Sequence, residues 1–359
     1  MKCFCCWLAG FFVVFCLFCG CSIEGTKLPD LVPEEETEEI TGDSEPGEAE
    51  KAIEKEAEEP VPELLIAEFL SGKAVSETEI EFLFSSPVTM MSMSFEPYME
   101  VFAVEEGSAL TVFLEEKAAP GITITVELEV EDEWENILSV QVPLVSRNNR
   151  MPELRINELR TEYSKPRAEF IELKMLSDGN LGGLRVFAAG NNLGAMIYRF
   201  APLEVTKGEY VVLHLRTLDA ASVDEYGERP DESGGTDACP TARDFWIPGN
   251  SKLLRKTDAV YILDQDDRVL DAVMISEIRD TSWNKSFLTD AAEFLFSQDA
   301  WKSLSGALCL PVDAVDSSDI KTSATKSISR YETAENTRSP ADWYITATGG
   351  ATPGLPNKQ

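Results

Sequence analysis

Histidine is nearly absent from this chain of 359 residues, and basic residues are scarce. One histidine, His214, leaves no imidazole cluster for a metal ion and only one candidate for acid–base catalysis. The 31 basic residues are outnumbered by 64 acidic residues, which gives a formal net charge of −33. Because DNA and RNA binding depends on neutralising phosphates, this charge argues against a nucleic-acid partner.

Several catalytic and metal-binding motifs are missing as well. The sequence contains no G-x-S-x-G nucleophile elbow and no H-E-x-x-H helix. Beyond residue 21 the only cysteines are Cys239 and Cys309, so no C-x-x-C pair remains for a zinc knuckle. We therefore expect neither a cofactor nor an enzyme.

The amino terminus predicts export. Residues 7–18 form an apolar run that is too short to cross a hydrocarbon core of about 30 Å and is typical of a signal peptide. Residues 17–21 read LFCGC, with a small residue just before a cysteine. This segment resembles a relaxed lipobox of bacterial lipoproteins, in the manner of spirochaete lipoproteins. The resemblance implies that residues 1–20 are removed and that Cys21 carries the lipid.

Lipidation of Cys21 implies a membrane anchor. The resemblance gives this residue a diacylglycerol and an amide-linked acyl chain such as palmitate. Each buried methylene contributes about 0.8 kcal/mol, so the anchor is effectively permanent. Ser22, in place of the aspartate retention signal, favours the outer membrane and leaves the periplasmic and surface faces open. A soluble secreted protein and an uncleaved membrane anchor remain alternatives.

Residues 21–62 predict a disordered acidic linker. Between residues 22 and 62 there are 15 acidic and 3 basic residues, with too little apolar content to offset chain entropy. Like charges extend such a segment and would hold the following domains away from the bilayer surface.

Residues 63–146 predict an acidic β-sandwich. Apolar residues alternate with glutamate or threonine over residues 77–84 and 122–131, which is the period of strands buried on one face. The FSSPV segment at residues 84–88, the Pro120-Gly121 turn and residues 132–138 resemble bacterial Ig-like domains. Glu135 stands where that family usually has a glycine before the asparagine, here Asn136.

Residues 152–357 predict a second β-sandwich. The quoted segments are INE at residues 156–158, EFIEL at 169–173, KGEYVVL at 207–213, the hairpin at 258–273, SISR at 327–330, DW at 342–343 and ATPGLPN at 351–357. In this order they resemble the bacterial lamin-tail domain, which implies an Ig-like sandwich that binds or positions other molecules. Residues 276–325 resemble an insertion, in which residues 289–304 predict a helix.

The two later cysteines leave two alternatives. In an oxidising compartment a disulfide between Cys239 and Cys309 would close a loop of about 70 residues and stabilise the fold by roughly 4 kcal/mol. Otherwise both are buried thiols.

Candidate binding residues are few. Asp264, Asp266 and Asp267 are weak candidates for a calcium loop, but Val269 stands where such a loop needs glycine, which favours a solvated hairpin turn. Phe245 and Trp246 follow a long polar loop and are candidate partner contacts, with burial under that loop as the alternative.

Polar strand residues supply the remaining candidates. His214 is most simply an ordinary strand histidine. Asn157 with Glu158, and Glu169 with Glu172, are most simply structural polar groups, although paired carboxylates also occur in hydrolases.

Together these features predict a lipid-anchored, non-catalytic protein of the bacterial cell envelope that binds or positions an envelope protein or glycan. The alternatives are a carboxylate- or calcium-dependent envelope hydrolase and a purely structural spacer.

Overall fold

The computed structural model of this chain describes residues 66–190 and 196–358. The predicted signal peptide, Cys21 and the acidic linker lie outside the described residues. Within the described ranges the chain forms nineteen strands and one α-helix, which confirms the all-β fold class. The described part has no helix that combines the length and the apolar character needed to cross a membrane.

The first body is built from one antiparallel sheet. Its strands are β1 (Phe69–Ala74), β2 (Glu79–Glu96), β3 (Val101–Glu105), β4 (Gly107–Leu114), β5 (Thr123–Asp132) and β6 (Ile137–Val145). Along the sheet they run in the order β3-β4-β2-β5-β6, and β1 also pairs with β2. The predicted alternation is confirmed, because Ile124, Val126, Leu128 and Val130 of β5 are all buried while Glu127 and Glu129 between them are exposed.

The long strand β2 lets this sheet fold over its own core. Its first half pairs with β1 and β4, and its second half pairs with β5. The pairing with β4 shifts register between Leu83 and Val88, around Ser85, Ser86 and Pro87. As a result β1 lies against β6, and a Cβ on Gly72 would come within 2.8 Å of Val142 Cγ1.

The β5–β6 turn explains how this chain does without the usual glycine. Glu135 adopts φ = 64°, the left-handed conformation that a glycine takes most easily. Asp132 closes the turn by accepting hydrogen bonds from the backbone amides of Trp134 and Asn136, and it also accepts one from the amide of Ala67. Although burial raises the pKa of Asp132, these bonds and the Asn136 side chain lower it to about 2.

The second body contains the remaining thirteen strands. They are β7 (Leu154–Arg160), β8 (Phe170–Met175), β9 (Gly179–Asn180), β10 (Arg185–Ala188), β11 (Met196–Arg199), β12 (Glu204–Val205), β13 (Tyr210–His214), β14 (Arg243–Trp246), β15 (Asp258–Leu263), β16 (Val269–Ser276), β17 (Val315–Asp316), β18 (Ile328–Arg330) and β19 (Trp343–Ile345).

Two main sheets form this body. One has the order β14-β13-β8-β7-β18-β19, and the other has the order β11-β10-β15-β16-β17, while β9 and β12 form a short pair. The predicted aspartate hairpin is confirmed as β15 and β16. Apolar residues of both sheets, among them Ile156, Leu173, Val260 and Val273, share one core.

The helix of the insertion is shifted from its prediction. Helix α1 runs from Ser286 to Ser297, so the predicted range of 289–304 was wrong at both ends. It ends because Asp299 takes φ = 51°, which turns the chain out of the helix. The buried face consists of Leu288, Ala291, Ala292 and Leu295, whereas Leu304, the last residue of the predicted range, lies beyond the helix and is exposed.

The two bodies meet backbone against backbone. A Cβ on Gly182 would lie 2.0 Å from the carbonyl oxygen of Pro120, and a Cβ on Gly121 would lie 2.0 Å from the carbonyl carbon of Gly182. Beside this contact, the Asn148 side chain donates hydrogen bonds to the carbonyl oxygens of Asn180 and Gly182. The bodies therefore touch where neither has room for a side chain.

Replacing Gly182 with alanine should force this junction apart. Overpacking of this kind typically costs about 1–3 kcal/mol, and here the clashing atoms are backbone. We expect a lower free energy of unfolding and faster proteolysis at residues 147–151. Gly227→Ala is the matched control, because its nearest neighbour would lie 3.7 Å away. Equal behaviour of the two variants would contradict a tight junction.

Candidate functional site

The predicted partner contact at Phe245 and Trp246 is wrong, because both side chains are buried. They lie on β14, which pairs in parallel with β13. The Trp246 ring stacks on His214 with centroids 3.7 Å apart, and its Nε1 donates to Ser233 Oγ at 2.9 Å. The long polar loop covers this ring so closely that a Cβ on Gly235 would lie 2.2 Å from it.

His214 forms a closed pair with Asp244. Its Nε2 lies 2.7 Å from Asp244 Oδ1, and both side chains are fully buried. The other oxygen of Asp244 accepts a hydrogen bond from the backbone amide of Cys239. Because the pair is sealed from solvent, it supports the interpretation of His214 as a structural strand histidine.

Cys239 and Cys309 do not form the possible disulfide, and both thiols are free and buried. Cys239 packs with Phe170, Tyr210, Val212 and Ala242 in a small cluster of its own. Cys309 belongs instead to the main core, where burial raises the pKa of its thiol to about 12. The alternative of two buried thiols is therefore the one the structure contains.

The three candidate calcium ligands are engaged in other interactions. Asp264 Oδ1 accepts hydrogen bonds from the amides of Asp266 and Arg268, which closes the hairpin turn. Asp266 makes a two-pronged ion pair with Arg147 at 2.5 and 3.0 Å, and Asp267 pairs with Arg185. In the described residues no group of three or more His, Cys, Asp or Glu side chains is arranged so that it could hold a metal ion.

The paired carboxylates lie inside the second body. Glu169 and Arg216 form a buried bidentate ion pair with distances of 2.5 and 2.6 Å. Glu158, Glu172 and Glu332 form a second group, which we name the carboxylate cluster. Its members accept hydrogen bonds from the backbone amides of Thr352, Gly354 and Asn357, at 3.0, 2.6 and 2.8 Å respectively.

Burial controls the charge of the carboxylate cluster. Burial raises the pKa of Glu158. Burial also raises the pKa of Glu172 well above its ordinary value, and the negative charges of the nearby Glu158 and Glu332 add to this rise. Glu332 behaves differently: although burial raises its pKa, hydrogen bonds from Lys174 and Asn357 hold the pKa below its ordinary value. These carboxylates bind the 352–357 segment to strands β7 and β8 and to the residues that follow β18.

A cleft with a volume of about 890 Å³ opens on the second body where several elements end. Leu215 follows β13, Ile247 follows β14, and residues 251–257 lead into β15. The first turn of α1 contributes Phe287 and Leu288. This volume lies in the range of small-molecule sites, roughly 300–1,000 Å³.

The charged residues that line the cleft are mostly basic, although the chain as a whole has a negative net charge. Lys252, Arg255, Lys256 and Lys285 line it, against one acid, Glu277. Sequence reasoning missed this site, although the SKLLRK run at residues 251–256 is an unusual basic stretch in so acidic a chain.

The comparison with protein families covers this part of the molecule. The family described as "TP_1001_2nd: protein second domain" matches residues 152–345, which is more than half of the chain. The chain belongs to this family. The matched residues 152–345 include the whole cleft and all three members of the carboxylate cluster. The 352–357 segment lies beyond the matched range.

Related proteins add little chemistry. An uncharacterized protein of Treponema pallidum (strain Nichols) is 29% identical over 225 residues, covering 60% of this chain. The chain spans 56% of the length of that relative.

Two solved structures show partial likeness. The N-terminal part of the bacterial S-layer protein SbsC matches 59% of this chain and 44% of its own, at 13% identity and a TM-score of 0.23. A DUF4876 family protein from Bacteroides thetaiotaomicron matches 77% of this chain and 90% of its own, at 12% identity and a TM-score of 0.25.

Proposed function

We propose that this protein is a lipid-anchored, non-catalytic component of a bacterial cell envelope that binds or positions another envelope macromolecule, either a protein or a glycan. Its second body would act as a lamin-tail-like module, and its first body as an Ig-like module. Cys21 would hold both at the outer membrane through its acyl chains.

The observation that carries this proposal is the junction at Gly121 and Gly182. A flexible string of domains gives its terminal module no fixed direction, whereas backbone contact and the Asn148 hydrogen bonds favour movement as one piece. Two β-bodies in such contact suit a protein that presents its second body to a partner in a fixed relation to the first.

The state of the ionisable side chains supports a non-catalytic role. A hydrolytic carboxylate has to reach its substrate, yet Glu172 is fully buried and bonded to Gly354 and Asn157. His214 is buried together with its partner Asp244, and Asp264 accepts a hydrogen bond that closes the hairpin turn. No observation in the described residues favours the alternative hydrolase.

The test combines acyl labelling with cross-linking in intact cells. A metabolic palmitate label should mark the wild-type protein and should be lost in Cys21→Ala, because that substitution removes the thiol that carries the diacylglycerol. Cys19→Ala is the matched control and should keep the label. The labelled wild type should be captured with an envelope protein or glycan.

Two results would contradict the proposal. A label that survives Cys21→Ala would place the lipid on another residue, and a wild-type protein that takes up no label would show that there is no lipid anchor. A labelled protein that captures no envelope component under conditions that cross-link a known neighbour pair would leave only a spacer role.

A further inference from the structure

The lining of the cleft combines apolar side chains with basic side chains. Its floor is apolar, with Leu215, Ile247, Ile278, Phe287 and Leu288. Its rim carries the four basic residues already named, although the chain as a whole has a net charge of −33. Ligand sites usually have this composition, an apolar wall with a few charged groups that fix orientation.

Two of the four cations are available for a ligand. Lys252 pairs with Glu162 at 3.1 Å, and Lys256 pairs with Glu277 at 2.5 Å. Arg255 and Lys285 are exposed, and neither forms a salt bridge with an acid in the part of the chain that the structure describes. An incoming anion would therefore not have to displace an ion pair at these two positions.

Helix α1 adds to the positive potential of the same rim. Lys285 is its N-cap, no side chain caps its first turn, and that turn contains no acidic residue. The amino-terminal end of a helix carries a partial positive charge, which favours a nearby anion. Phe287, two residues on, lines the apolar floor, so charge and apolar surface meet at one helix end.

We infer that this cleft binds an anionic amphiphile, a long alkyl chain that ends in a carboxylate or a phosphate. The anion lies between Arg255 and Lys285, and the alkyl chain lies on Ile247, Phe287 and Leu288. This site goes beyond the proposed function, which requires no small ligand, and it does not depend on which macromolecule the protein positions.

The test is a calorimetric titration of the mature chain carrying Cys21→Ala, so that acyl chains of the protein itself do not compete. Hexadecanoate, kept below its micelle concentration, should bind with a one-to-one stoichiometry. The double substitution Arg255→Gln, Lys285→Gln should weaken binding by about tenfold or more, since loss of about 1.4 kcal/mol suffices for that factor.

The matched control is Lys207→Gln, Arg268→Gln, which removes one lysine and one arginine that are also exposed. Lys207 precedes β13 and Arg268 follows β15, so both lie at the ends of these strands remote from Leu215 and Arg255. This variant should bind as the parent protein does. Thermal unfolding of both double variants verifies that they are folded.

Three further titrations separate the elements of the inference. Hexadecyl phosphate in place of hexadecanoate identifies which anion the site prefers, and tighter binding of either supports the inference. Hexadecanol lacks the charge and butyrate lacks the long chain, so each should bind at least about tenfold more weakly. Equal binding of hexadecanol, equal binding by the Arg255→Gln, Lys285→Gln protein, or no binding of either anion would overturn the inference. Acyl labelling and cross-linking would still decide the proposed function separately.

Discussion

Gly354→Ala is expected to lower the free energy of unfolding by about 4 kcal/mol. Gly354 has φ = 76°, and a Cβ there would lie 2.4 Å from Cys239 Cβ and 2.8 Å from Ala242 Cβ. Its amide also donates to Glu172, so moving the backbone would leave a buried carboxylate without a donor. Urea unfolding followed by tryptophan fluorescence measures the difference.

A second glycine separates the cost of backbone strain from the cost of steric overlap. Gly349 has φ = 79°, almost the same backbone conformation, but no atom lies within 4 Å of the added Cβ. Gly349→Ala should therefore cost only the conformational part, about 1–2 kcal/mol. Cys239→Gly in the Gly354→Ala background should recover part of the loss, because it removes the nearest clashing atom. Equal losses for the two alanine variants would show that the 352–357 segment is not held as described.

The free energy of unfolding is expected to fall as the pH rises from about 4 to about 7. Burial raises the pKa of Asp258 to about 7, and it also raises the pKa values of Glu158, Glu172 and Asp271. A carboxyl with a raised pKa in the folded state holds its proton there after the unfolded chain has lost it. The stabilisation is therefore complete below the unfolded pKa and is lost as the pH rises through the folded pKa.

The size of this effect follows from Asp258. A change in pKa from 3.8 to about 7 corresponds to about 4 kcal/mol as an order of magnitude. Groups with lowered pKa values, such as Asp266 beside Arg147, act in the opposite direction at lower pH. We therefore expect maximum stability in mildly acidic solution, measured by urea unfolding at fixed ionic strength between pH 4 and pH 8.

One carboxylate on the surface provides the comparison. Glu172→Gln removes a buried ionisable group and should flatten the dependence on pH, whereas Glu228→Gln removes an exposed one and should leave it unchanged. Stability that increases steadily up to pH 8 would contradict the assignment of raised pKa values to the interior.

Local sequence patterns predicted the fold well where one strand or one turn decides the structure. The alternation in β5 and the hairpin of β15 and β16 could be read directly, because side-chain period and turn residues act over a few positions. The predicted range of helix α1 was shifted because the sheet on which the helix packs determines which of its residues are buried. The left-handed backbone conformation of Glu135 could be suspected only because Glu135 stands where the resembled family usually has a glycine.

The candidate site was much harder to predict from the sequence. For Phe245 and Trp246 the sequence left partner contact and burial as alternatives, since nothing local reveals that Gly235 leaves room for a loop to fold over the indole. The acidic residues could be found but not their partners: Glu172 and Gly354 lie 182 positions apart. The cleft depends on residues from several separate stretches, and only its basic run at residues 251–256 is visible in the sequence.

The hydrogen bond between Glu158 and Thr352 spans 194 positions of the chain. If the protein crosses a membrane unfolded with its amino terminus leading, β7 emerges long before the amides that complete its carboxylate cluster. During that interval β7, which is central in its sheet, lacks these hydrogen-bond partners. The partly folded second body is then exposed to proteases and to incorrect strand pairing. In that case, chaperones that shield strand-rich chains should matter more for this protein than for one whose strands find their partners in sequence order.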